Sequence, residues 1–178
     1  MQKKRSKKRS MTTLMLCAVA CAFSVLVFGP LEQFMLNQGD LWFNLEDIAP
    51  FSAVCFLAAA AALTAAGLLL PAKVRRAYTA LVLGLTLCWY LQGNFINAEY
   101  GELDGRLIHW ENYTGYAVWN TAFWLLLPLA LMVFALKKAK AFRTVARTLA
   151  GALIVIQAVT LVSVFLTTPI QRKDTEWI

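Results

Sequence analysis

Glu99, Glu102, Asp104, His109 and Glu111 are the residues of this 178-residue chain best suited to chemistry, because they crowd into one short polar segment. Carboxylates and an imidazole at that spacing suit a divalent cation or an acid/base pair. A metal centre needs three or more converging ligands with a supporting outer shell, and one His among scattered carboxylates equally fits a solvated acidic loop. Cys17, Cys21, Cys55 and Cys88 form no CxxC or Cys/His pattern and all fall in apolar runs, where they read as small packing residues. No nucleotide loop, Ser/His/Asp or Cys/His arrangement or HExxH motif occurs. The sequence therefore assigns no catalytic, cofactor-binding or metal-ligating residue within the chain itself.

The elements that would hold the polar segment are apolar. With 60% hydrophobic and 15% charged residues, the composition departs from that of soluble globular domains, and lipid is the expected solvent. Apolar runs cover about 11–28, 48–70, 78–95, 115–136 and 144–166, each near the roughly 20 residues that cross a hydrocarbon layer of about 30 Å. The expected fold is all-α, a polytopic membrane protein of five transmembrane helices. Its parts are a basic cytoplasmic tail at 1–10, a membrane domain at 11–167 and an extracytoplasmic linker at 168–178. Pro71 closes the second run, and Pro128 falls inside the fourth, where it should kink the helix.

Charge fixes the orientation. If the N-terminus is inside, every basic residue except Arg106, Arg172 and Lys173 falls on the inner side, and every acidic residue falls on the outer side. Lys and Arg set topology, so this predicts a cytoplasmic N-terminus and an outer C-terminus, in a bacterial cytoplasmic membrane. The same clustering argues against nucleic acid as a partner, since no basic stripe is interleaved with aromatics. No Asp, Glu, Lys or His lies mid-span, which disfavours an ion-coupled transporter. Gln157 is the one strongly polar mid-span group, with an interhelical hydrogen bond as its expected role. The small residues Ala58 to Ala62, Ala65, Ala66 and Gly67 suggest a packing face on the second helix.

Two outer loops carry most of the distinctive residues, including Glu32 and Trp42 in the first and Gln92, Asn94, Tyr100, Asp104 and Trp110 in the second. All six tryptophans map to outer loops or outer helix halves, which fits an aromatic belt or a platform for lipid or glycan. Here the motifs Gly29-Pro30-Leu31-Glu32, Trp42-Phe43, Tyr90-Leu91-Gln92-Gly93-Asn94, Tyr100-Gly101-Glu102-Leu103-Asp104-Gly105 and Trp110 resemble the N-terminal membrane region of bacterial sulfatase-like hydrolases and transferases, the group of the lipoteichoic acid synthases and phosphoglycerol transferases.

That resemblance implies five membrane helices ahead of an extracellular alkaline-phosphatase-like domain, in which a Thr or Ser nucleophile and a divalent metal act on phosphoglycerol or related groups. None of those catalytic motifs occurs in this chain, so the metal would belong to the missing domain. The implied role is a membrane anchor that presents a lipid-linked anionic substrate, an envelope polymer or lipid, to an extracytoplasmic catalytic domain. Glu32, Trp42, Gln92, Asn94, Tyr100, Asp104 and Trp110 are the candidate outer-surface docking residues. Two other readings stay open. One is a freestanding membrane assembly subunit, and the other is a small integral-membrane enzyme using Asp104, His109 and Glu111.

Overall fold

The computed structural model describes residues 2–24, 45–91 and 110–167, which are helical apart from Leu70, Pro71 and Lys138, with no strand among them. Five helices follow in chain order: α1 (Gln2–Ala22), α2 (Leu45–Leu69), α3 (Ala72–Leu91), α4 (Trp110–Lys137) and α5 (Ala139–Thr167). Several reach beyond the apolar runs that signal them. The backbone of α1 begins at Gln2, so the cations from Lys3 to Arg9 belong to its first turns. Likewise α3 opens at Ala72 and carries Lys73, Arg75 and Arg76 ahead of its apolar stretch. A π-type turn at Phe23 and Ser24 extends α1.

Named contacts give the sense of each helix. Phe23 meets Phe56 edge to face at 6.0 Å, while Leu14 lies against Gly67, so α1 and α2 run in opposite directions. The Tyr78 hydroxyl donates to the Leu63 carbonyl at 3.0 Å across the tight α2–α3 hairpin. Between α3 and α4, Gly84 faces Pro128 and the Cys88 thiol donates to the Phe123 carbonyl at 3.7 Å, again opposite in sense. In contrast, Arg147 reaches Thr13 and Gln157 reaches Ser24, so α5 runs parallel to α1. The helices therefore alternate in direction along the chain. The starts of α1, α3 and α5 share one end with the finishes of α2 and α4.

Small side chains set the spacing of the bundle. Its core joins Cys17 and Ala20 of α1 with Ala80 and Leu83 of α3, Ala135 of α4 and Phe142, Ala146 and Ala150 of α5. Phe134 and Phe142 close the α4–α5 corner edge to face at 6.2 Å. Large apolar side chains point the other way: Val54, Leu57, Leu69, Val118, Leu126 and Val159 are all exposed. A protein in water keeps such patches small, whereas helices in lipid pack through small residues and turn aliphatic ones outward.

Among the described residues one stretch, Ala139–Thr160, is long and apolar enough to cross a membrane, and Ser10–Ala22, Ala53–Leu69 and Thr121–Lys137 are shorter apolar stretches. At 20 residues even α3, the shortest helix, is about 30 Å long. Its basic first turns and its buried Thr79, Gly84 and Thr86 account for its lower apolar content.

On α2 the structure revises the expected packing face. Only Gly67 is buried, against Leu14 and Tyr78, while Ala58, Ala61, Ala62, Ala65 and Ala66 are exposed. α2 contacts α1 and, more lightly, α3, and among the described helices no other packs extensively against its alanine surface.

Candidate functional site

Glu32, Trp42, Gln92, Asn94, Tyr100 and Asp104 lie outside the described residues, as do Glu99, Glu102 and His109. Trp110 is the first residue of α4, and its side chain is likewise outside the description. The directions of the helices put the ends from which these loops leave together: the finishes of α1 and α3 and the starts of α2 and α4. Glu46 and Asp47 belong to the first turn of α2 and Glu111 to that of α4. No group of three or more metal-ligand side chains occurs among the described residues.

The opposite end is basic. It collects the cations of the α1 start, then Lys73, Arg75 and Arg76, then Lys137, Lys138, Lys140, Arg143 and Arg147. These cations do different work. Arg75 caps the C-terminus of α2, with Nε donating to the Gly67 carbonyl and Nη2 to those of Leu68 and Leu70, each at 2.9 Å. Helix ends leave their last carbonyls without intrahelical partners, and a planar guanidinium has the fork to satisfy several at once. Arg147 donates through Nε to the Thr13 hydroxyl at 2.9 Å, bridging α5 to a buried position of α1. Lys73, Lys137, Lys138 and Lys140 are exposed.

Toward the bundle's middle lies a buried polar pair. Gln157 is fully buried and donates through Nε2 to the Ser24 hydroxyl, which in turn donates to the Ala20 carbonyl at 2.8 Å. This supplies the interhelical bond expected of Gln157, and the π-type turn is what places Ser24 opposite it. The Gln157 Oε1 has no hydrogen-bond partner among the described residues. Gln157 is legible in the sequence as a polar residue within an apolar run, whereas a lone serine at the edge of such a run, as at Ser24, carries no signal of its partner.

All four cysteines are free, with Cys17 and Cys88 buried and Cys21 and Cys55 half-buried. No family model, curated protein or solved structure matches the chain.

Proposed function

We propose that this chain is a multi-pass module of the bacterial cytoplasmic membrane, with five spans and its basic end in the cytoplasm. Its role is to anchor an extracytoplasmic sulfatase-like catalytic domain and to present that domain with a lipid-linked anionic substrate. The observation that carries the membrane reading is a core rich in alanine, threonine and glutamine beside Leu83 and Phe142, with many valines and leucines on the exposed surface, joined to a one-sided collection of cations. The anchoring role rests on the loop motifs between the helices. Its mechanism is positional: tethering raises the effective concentration of a catalytic domain over its lipid-linked substrate.

Topology reporters test the first half. Fusions placed after Lys138 are expected to report the cytoplasm, and fusions after Gln38 or Asp104 the outside. The reverse pattern, or recovery of the chain in the supernatant after alkaline carbonate extraction, would overturn it.

Substitutions in the loops test the second half. In the full-length protein, alanine at Gln92, Asn94 and Asp104 together is expected to reduce turnover at least several-fold while membrane abundance stays level. Unchanged turnover removes the docking role. An open reading frame that continues past Ile178 into a domain with a Thr nucleophile and Asp/His metal ligands supports the tethering role, and a stop codon there opposes it.

A second reading, an assembly subunit that packs against partner helices, has one observation in its favour. The exposed alanines of α2 let another helix backbone approach closely.

A further inference from the structure

On α5, Lys140, Arg143 and Arg147 recur at i, i+3 and i+7 and so share one helix face, rising over about 10 Å from the basic end. The bond from Arg147 to buried Thr13 turns this face toward α1. Ser10 of α1 lies one turn below Thr13, toward the basic end, and is half-buried.

One turn above Arg147 the same face reaches Gly151. A Cβ built there meets nothing within 4 Å, so the helix has a notch open to its surroundings. Beyond it come half-buried Ile154 and exposed Val155. Cations with a hydroxyl at the membrane boundary, then an apolar notch one turn deeper, match a phosphate headgroup followed by an acyl chain.

We propose that the α1–α5 groove at the basic end binds an anionic phospholipid of the inner leaflet. Lys140 and Arg143 hold its phosphate, Arg147 is a positioning residue fixed by Thr13, and an acyl chain lies in the notch at Gly151. The proposal rests on the membrane reading above and extends it from diffuse surface attraction to a defined site.

The test uses the full chain in lipid nanodiscs containing phosphatidylglycerol or phosphatidylcholine, with retained lipid counted by native mass spectrometry. Wild-type chain is expected to retain phosphatidylglycerol over phosphatidylcholine. Lys140→Gln with Arg143→Gln should lower that preference roughly ten-fold, whereas Lys73→Gln with Lys138→Gln, which removes equal charge elsewhere on the same end, should lower it less than about three-fold. Gly151→Leu fills the notch without changing charge and should also reduce retention, with helicity unchanged by circular dichroism. Equal losses from the two charge pairs overturn the site in favour of diffuse attraction, as does unchanged retention in Gly151→Leu. Equal stabilisation of the detergent-solubilised chain by inorganic phosphate and by phosphatidylglycerol assigns the anion site to free phosphate and overturns the lipid. Release by alkaline carbonate sinks the membrane reading itself. A chain that stays in the pellet yet shows no lipid preference sinks this proposal alone.

Discussion

Gly84→Ala is expected to destabilise the bundle by about 2 kcal/mol, although alanine is the better helix former by about 1 kcal/mol. A Cβ at Gly84 would stand 2.7 Å from the Pro128 Cα and 3.0 Å from its Cβ, and both belong to the body of α4 rather than to the tip of a flexible side chain. The contact is relieved only by moving α3 and α4 apart along the most extensive pairing among the described helices. Separation would also break the bond from Cys88 to the Phe123 carbonyl, close to the turn where Pro128 cannot donate.

Gly151→Ala is the matched control. It adds the same methyl group to α5 in open space and should be neutral or stabilising by up to about 1 kcal/mol. Gly67→Ala falls between them, since its nearest obstacles are the movable methyl groups of Leu14 at 2.6 and 2.8 Å. Thermal unfolding in one detergent checks the order. Equal effects at Gly84 and Gly151 would show that helix propensity, not close approach, governs these positions.

The same contrast marks what a sequence can carry. Apolar runs at about 11–28, 48–70, 78–95, 115–136 and 144–166 match the five helices in order, because burial in lipid or in a bundle leaves a long hydropathic trace. The starts of α1 and α3 were less legible: Lys, Arg and Gln continue a helix well but read as loop when hydropathy alone is weighed. Pro128 is legible as a kink signal inside the fourth run, and α4 continues through it, yet nothing in the sequence pairs it with Gly84, since that contact depends on how two helices cross. Gln157 stood out as a polar residue among apolar ones, while Ser24 became its partner only through the π-type turn.

Arg75 shows the limit most clearly. In the sequence it is one cation among many and serves the orientation rule as well as Lys73 or Arg76. In the fold it satisfies three carbonyls at the end of α2 and pins the α2–α3 hairpin around Pro71.

Separating those two roles gives the second large effect. Arg75→Lys keeps the charge, so the reporter pattern at both ends should stay unchanged, because orientation follows the count of basic residues. A lysine ammonium presents its donors from a single point and cannot span the Gly67, Leu68 and Leu70 carbonyls. Hydrogen bonds to charged groups each contribute about 1.5–3 kcal/mol, and water at this end of the bundle replaces part of that, so a net loss of about 3 kcal/mol is expected. Arg75→Gln should lose slightly more, since it also gives up the attraction between a cation and the C-terminal pole of α2. Arg76→Lys is the comparison. Its bond among the described residues, from Nε to the Ala72 carbonyl at 3.4 Å, lies on an exposed surface within its own helix, and the variant should unfold with wild type. If Arg75→Lys also unfolded with wild type, the hairpin would be held by Tyr78 and packing, and the guanidinium would be a topology charge that happens to lie near three carbonyls.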